Sequence, residues 1–91
     1  MAEDRASGGD DASPSGAADV TIDATGLLCP LPIIELGRAA RGRAPGTTIT
    51  VVCTDVAARL DVPAWARMTG HEFVGETKTD GGAVALTVRL L

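Results

Sequence analysis

The chain has 91 residues, of which 45% are hydrophobic and only 2% aromatic, and a formal net charge of −4. A chain of this length forms one small domain that cannot enclose a large active site, and its core must be aliphatic. Because the arginines form no broad basic face, nucleic acid is not expected as a direct partner.

The first 18 residues hold four acidic side chains and one arginine among Ala, Gly, Ser and Pro, with no apolar periodicity. This composition cannot offset the entropy of ordering, so we predict that residues 1–18 form a disordered acidic tail, whose role could be solubility alone. The folded domain is then residues 19–91. The sequence shows no signal peptide and no run long enough to cross a membrane, so we expect a cytoplasmic monomer with two free thiols and no membrane association.

The first half of the domain predicts a strand, a helix and a second strand. Residues 20–22 alternate apolar and polar side chains, as a short strand does. Residues 30–41 predict a helix, and residues 47–53, rich in Thr, Val and Ile, predict a buried strand. The predicted inner stripe of this first helix consists of Ile33, Leu36, Gly37 and Ala40.

The second half predicts a helix followed by a hairpin. Thr54 or Asp55 can cap a helix that runs to about Thr69, with an irregular first turn before a better helix from about Val62, because Pro63 disturbs it. Residues 71–78 and 83–91 predict strands joined by a turn over residues 79–82. The predicted inner face of the second helix consists of Val56, Leu60, Ala64 and Met68.

The element order is therefore β-α-β-α-β-β. A strand–helix–strand connection is nearly always a right-handed crossover between parallel strands. We predict a two-layer α/β sandwich, a four-stranded mixed sheet with both helices on one face. Reactive groups of such sheets gather outside the carboxyl ends of the parallel strands. Cys29 follows the first strand at that edge and Cys53 ends the second, so the two could be near neighbours.

Cys29 begins the segment Cys-Pro-Leu-Pro at the start of the first helix. Proline tolerates the first helical turn, so Pro30 and Pro32 mark a beginning, and the N–H groups of Leu31 and Ile33 could hold an anionic sulfur. A helix N-terminus alone lowers the pKa of a thiol, which predicts a reactive thiolate. The alternative is a small buried cysteine at a strand–helix junction, and the flanking prolines favour the reactive one.

Other candidates are weaker. Cys53 lies in a Val-rich strand, where cysteine is usually a small hydrophobe, although it could resolve a disulfide with Cys29. Asp55 and Arg59 follow the second strand at the reactive edge, and Asp55 could equally be a helix cap. His71 begins the third strand, which places it at the opposite edge if that strand is parallel to the first two. Two distant cysteines and one histidine predict neither a metal site nor a cofactor.

Residues 23–32, 61–65 and 69–72 read DATGLLCPLP, DVPAW and TGHE. Together they resemble the TusA-like (SirA-like) sulfur-carrier family, with a match from about Val20 to Leu91. The resemblance implies the same α/β sandwich. It also implies that Cys29 accepts sulfane sulfur as a persulfide and that Asp23, Gly26 and the proline motif position the thiolate.

The resemblance further implies a sulfur relay between proteins. Family members receive sulfur from a cysteine desulfurase or a rhodanese-like donor and pass it to an acceptor protein in tRNA thiolation, molybdenum cofactor biosynthesis or sulfur metabolism. Where many members carry basic residues around the cysteine, this chain has Leu28 and Glu35, and Leu60 replaces an arginine. Partner choice depends on these charges. The alternative function is a redox-regulatory module with a reversible disulfide between Cys29 and Cys53.

Overall fold

The computed structural model describes residues 18–91, so the predicted tail lies outside the described residues except for Ala18. The elements alternate as predicted, and a short 3-10 turn at Asp80–Gly82 precedes the last strand. No helix in this part of the chain is long and apolar enough to cross a membrane. The six main elements are β1 (Val20–Ala24), α1 (Leu31–Ala40), β2 (Thr48–Cys53), α2 (Ala58–Thr69), β3 (Glu72–Lys78) and β4 (Val84–Arg89).

The four strands form one mixed sheet in the order β1-β2-β4-β3. Strands β1 and β2 are parallel, whereas β4 is antiparallel to both of its neighbours. Buried side chains alternate along β2 and β4, and α1 and α2 contact the sheet on this buried side. The predicted α/β fold, with two helices on a four-stranded mixed sheet, is confirmed.

The core is aliphatic and lies between the helices and the sheet. Leu36 is fully buried in α1, and Trp65 and Phe73 are partly buried against the cluster. The fully buried side chains of the sheet include Ile49, Val51, Cys53, Leu86 and Val88.

The predicted inner face of α2 is wrong. Val56, Leu60 and Met68 are 73%, 75% and 85% exposed, whereas the buried positions of α2 are Ala58, Val62 and Ala66. Both sets repeat every four residues, and a shift of two positions turns the helix by about half a revolution. The small alanines let the helix approach the sheet closely. The prediction gave more weight to the larger apolar side chains, and it therefore chose the exposed face of the helix.

The irregular start predicted for α2 is confirmed, although the helix begins at Ala58, earlier than Val62. The N–H groups of Ala58 and Arg59 donate to the carbonyls of Asp55 and Val56, each at 3.1 Å, which is the tighter 3-10 pattern. Pro63 then lies inside the helix. A proline at this position has no N–H to donate to the carbonyl of Arg59 one turn earlier.

Candidate active site

Two strand–helix junctions leave the sheet side by side at one edge. The parallel register pairs Ala24 at the end of β1 with Cys53 at the end of β2. The chain from Ala24 to α1 carries Cys29, and the chain from Cys53 to α2 carries Asp55. As the topology predicted, the candidate residues of the two junctions meet at the carboxyl ends of the parallel strands.

Asp23 and Gly26 shape the turn that leads out of β1. Asp23 Oδ1 accepts hydrogen bonds from the N–H of Thr25 at 3.1 Å and from its hydroxyl at 2.6 Å, and these bonds lower the pKa of Asp23. Gly26 has a φ of +81°, which L side chains rarely adopt, and its N–H donates to Thr54 Oγ1 at 3.0 Å. Both residues therefore direct the chain toward Cys29 without bonding to its sulfur.

The proline motif starts α1 as predicted. Pro30 is the N-cap residue, preceded by a cis peptide bond, and Leu31 is the first helical residue. Within α1, Pro32 is buried, whereas Leu31 is 45% exposed. Cys29 is exposed and lies within one turn of the helix start.

The backbone donors predicted to hold the sulfur are used elsewhere. The N–H of Leu31 donates to the carbonyl of Leu28 at 2.8 Å, and the N–H of Ile33 donates to the carbonyl of Pro30 at 3.1 Å. The prolines fold this segment into consecutive tight turns, and those turns engage the N–H groups that would otherwise face an anion. The prediction that Leu31 and Ile33 hold a thiolate is therefore wrong.

Asp55 fixes the backbone of Cys29 from the neighbouring junction. Its Oδ2 accepts the N–H of Cys29 at 2.5 Å, and its Oδ1 accepts the N–H of Ala57 at 3.1 Å. One carboxylate thus closes the turn before α2 and binds the cysteine loop to it. The N-cap residue of α2 is Ala57, so Asp55 does not cap the helix but closes the turn that precedes it and contacts the Cys29 loop.

Asp61, in the first turn of α2, contacts the sulfur itself. The Cys29 thiol donates to Asp61 Oδ2 with an Sγ–Oδ2 distance of 2.8 Å. This hydrogen bond is the main reason that the pKa of Cys29 is raised; desolvation of the thiol by its neighbours and the charges of Asp61 and Asp55 raise it further. Hydrogen bonding to the protonated form and nearby anions both disfavour a thiolate. The expected lowering of the pKa by the helix end is therefore overturned.

Cys53 is free and fully buried in the core, where desolvation is the main cause of its raised pKa. Its side chain occupies an inward position of β2, whereas Cys29 is exposed on the loop. A disulfide between the two would require Cys53 to leave the core. The structure therefore does not favour the redox-switch alternative.

Arg59 and His71 are engaged away from the thiol. The Arg59 guanidinium donates to both carboxylate oxygens of Glu76 on β3, at 2.5 and 3.2 Å. His71 Nδ1 accepts the N–H of Leu91 at 3.1 Å, and its ring lies 5.5 Å from that of Trp65. The strand β3 runs parallel in direction to β1 and β2, so His71 is at the opposite edge, as predicted.

The surroundings of the thiol are apolar on the side of its own loop. Leu28 is 70% exposed next to Cys29 and Leu31 is 45% exposed beyond it, whereas Leu27 packs against the core. Within residues 18–91, no group of three or more His, Cys, Asp or Glu side chains could hold a metal ion. The described site offers one exposed thiol, two carboxylates and an apolar border.

Asp61 and Thr54 were missed as site residues. Both follow β2, the strand parallel to β1, and both reach the Cys29 loop through a side-chain oxygen. The available signal was their place in the chain: polar residues between the end of one parallel strand and the first turn of the following helix lie near the loop that follows the other strand. The Asp of the DVPAW segment carried that signal in the sequence.

Comparisons with known proteins agree on one family. The family model described as "Sulfurtransferase TusA" matches residues 20–90. The sulfur carrier protein TusA of Pseudomonas entomophila is 40% identical over 63 residues, which cover 69% of this chain and 79% of that protein. The protein of the same name from Pseudomonas putida is 35% identical over 71 residues, which cover 78% of this chain and 88% of the relative.

A solved structure shows the same relationship. The crystal structure of a SirA-like protein from Desulfitobacterium hafniense superposes with a TM-score of 0.69 at 28% identity, and the match covers 77% of this chain and 95% of that one. The family model spans nearly all of the described domain, and it includes both junctions that form the site. The chain therefore belongs to the TusA family of sulfurtransferases.

Proposed function

We propose that this protein carries sulfane sulfur as a persulfide on Cys29 and relays it from a donor protein to an acceptor protein. The observation that carries the proposal is the exposed Cys29 thiol on a loop fixed by Asp55, in a chain of the TusA family. Cys53 is fully buried, so it is not a candidate for the same role. The relay requires no cofactor, because the transferred sulfur is bound covalently.

The site suits contact with another protein more than the enclosure of a small substrate. Cys29 lies on the surface beside the exposed side chains of Leu28 and Leu31. Exposed apolar side chains around a reactive group favour docking of a partner surface, and docking shields the persulfide from water. The donor we propose is a cysteine desulfurase or a rhodanese-like protein, and the acceptor serves tRNA thiolation, molybdenum cofactor biosynthesis or sulfur metabolism.

The test is loading by a donor. The full chain is incubated with a cysteine desulfurase and L-cysteine, and its intact mass is measured without reductant. We expect the mass of one added sulfur atom on the wild type and on Cys53→Ala, and none on Cys29→Ser. Absence of added sulfur on the wild type, or equal addition to Cys29→Ser, contradicts the proposal.

A further inference from the structure

We infer that Asp61 is a catalytic residue of the sulfur relay, a general base that takes the proton from Cys29 as its sulfur attacks and returns it to the departing thiolate. This inference rests on the proposed function of Cys29 as the persulfide carrier. It assigns a chemical step to a carboxylate that comes from a different junction of the fold.

The geometry places the proton acceptor in direct contact with the reacting atom. Asp61 Oδ2 lies 2.8 Å from Cys29 Sγ, within the reach required of a general base. Asp61 is only partly buried, and it belongs to the first turn of α2, a regular element packed on the sheet through Ala58 and Val62. A carboxylate on such an element is held in place while the thiol stays accessible.

Asp55 does not compete for this role. Both of its oxygens accept backbone N–H groups, those of Cys29 and Ala57. Asp55 is therefore a positioning residue that fixes the Cys29 backbone, and Asp61 is the carboxylate that faces the sulfur. Arg59 is paired with Glu76 and is not positioned to neutralise Asp61.

The step balances without an oxidant or a reductant. The Cys29 sulfur attacks the terminal sulfur of a donor persulfide, R–S–SH, while the Cys29 S–H bond breaks and its proton passes to Asp61 Oδ2. The new bond joins Cys29 Sγ to the transferred sulfur, and the S–S bond of the donor breaks. The departing thiolate takes the proton from Asp61 and leaves as R–SH. In the second transfer, an acceptor thiol R′–SH attacks the outer sulfur of the Cys29 persulfide and loses its proton to Asp61. The S–S bond to Cys29 breaks, Asp61 passes that proton to the departing Cys29 thiolate, and the acceptor leaves as R′–S–SH.

A base is needed because the resting thiol is protonated. The hydrogen bond to Asp61 and the negative charges of Asp61 and Asp55 raise the pKa of Cys29, so little thiolate exists near neutral pH. The thiolate is the nucleophile in sulfur exchange. Asp61 resolves the conflict between a protonated resting thiol and a reaction that needs a thiolate, because it removes the proton only at the moment of attack. Between transfers the thiol stays protonated and therefore reacts poorly with other electrophiles.

The test compares thiolate formation with sulfur transfer in the same variants. Glutathione persulfide serves as the donor, so that no partner protein supplies a base, and loading is followed by quenching and intact mass. In parallel, the alkylation rate of Cys29 by iodoacetamide is measured against pH. The variants are Asp61→Asn, Asp61→Glu, and Glu72→Gln as a control that removes an acidic residue at the opposite edge of the sheet.

We expect opposite changes in the two rates. Asp61→Asn lowers the pKa of Cys29 and so speeds alkylation near neutral pH, yet it slows persulfide loading at least about tenfold. Asp61→Glu retains a carboxylate and recovers part of the loading rate, and Glu72→Gln leaves both rates unchanged. This split separates a base from a group that merely restrains the thiol.

Two results would overturn the role of Asp61. If loading of Asp61→Asn speeds up together with its alkylation, Asp61 only suppresses the thiol. If loading is unchanged while alkylation speeds up, the proton leaves by another route. Failure of the wild type to load at all contradicts the carrier proposal itself, and this outcome is visible before any Asp61 variant is tested.

Discussion

The β1–α1 and β2–α2 junctions leave the same edge of the sheet, but they contribute different parts of the site. The first supplies the thiol of Cys29 on an exposed loop, and the second supplies Asp55 and Asp61, which bind the backbone and the thiol of that residue. The protonation state of Cys29 is therefore set by the neighbouring junction more than by its own helix. A thiol and the carboxylates that contact its residue can thus lie about thirty positions apart in the chain and still meet at one edge of a sheet.

The same comparison applies to the two cysteines. Cys53 ends β2 at an inward position, and the alternation of a strand places its side chain in the core. Cys29 lies beyond the end of β1, where no such alternation applies, and is exposed. The position of each cysteine relative to the strands therefore determines which thiol is buried and which is exposed.

The largest predicted difference is the accessibility of the two thiols. With excess iodoacetamide above neutral pH, we expect the native protein to take up one label on Cys29, and Cys53 to react at least about 10³-fold more slowly, because its exposure requires unfolding. Peptide mapping by mass spectrometry identifies the labelled residue. In denaturant both cysteines should react, and a native protein that takes up two labels at similar rates contradicts the distinction.

The second prediction concerns the link between the junctions. Asp55→Ala leaves the N–H groups of Cys29 and Ala57 without their acceptor, and we expect the free energy of unfolding to fall by about 1–2 kcal/mol. Chemical denaturation measures the loss. Asp55→Asn keeps one side-chain carbonyl and should lose less. Equal stability of Asp55→Ala and the wild type would mean that the two junctions are not coupled through this carboxylate.

The third prediction is a pair of glycine substitutions with opposite signs. Gly26 has a φ of +81° and Gly37 lies within α1, and a Cβ at either position would meet nothing within 4 Å. The backbone conformation at each position therefore decides whether alanine raises or lowers the stability of the domain. Gly26→Ala should destabilise the domain by about 1 kcal/mol, and Gly37→Ala should stabilise it by about 0.5–1 kcal/mol. A gain in stability for Gly26→Ala would show that the turn before Cys29 does not require glycine.

Much of the fold could be predicted because local patterns and topology agree. The strands and the parallel pairing of β1 with β2 followed from periodicity and the crossover rule, and the start of α1 followed from its prolines. The inner face of α2 could not be predicted, because Val62 between small alanines gives a weaker hydrophobic signal than exposed Leu60 and Met68.

The electrostatics of the site were harder to predict than its position. The helix N-terminus suggested a thiolate, but whether its N–H groups are available depends on hydrogen bonds within the loop, which are not evident from residue spacing. The contact with Asp61 requires the packing of α2 against the sheet in a particular rotation. The sequence can place a thiol near a helix end, but only the three-dimensional packing shows that a carboxylate faces it.

The smallest predicted effect tests whether Asp23, the carboxylate of the first junction, influences the pKa of Cys29. Asp23 is bonded to Thr25 and does not contribute to the raised pKa of Cys29. Thr25→Val removes the hydroxyl donor, so the pKa of Asp23 should rise toward its ordinary value while the alkylation profile of Cys29 against pH is unchanged. NMR titration of the carboxyl carbon and the iodoacetamide assay measure the two.

The lowered pKa of Asp23 determines how its contribution to the free energy of unfolding changes with pH. The folded protein binds this proton less readily than the unfolded chain, so the contribution of Asp23 to stability is present near neutral pH. It is lost as the pH falls below the unfolded value and through the folded one. Thr25→Val should weaken this dependence on acid pH. A shift in the Cys29 profile of Thr25→Val would instead show that the first junction also controls the thiol, and the division between the two junctions would then be wrong.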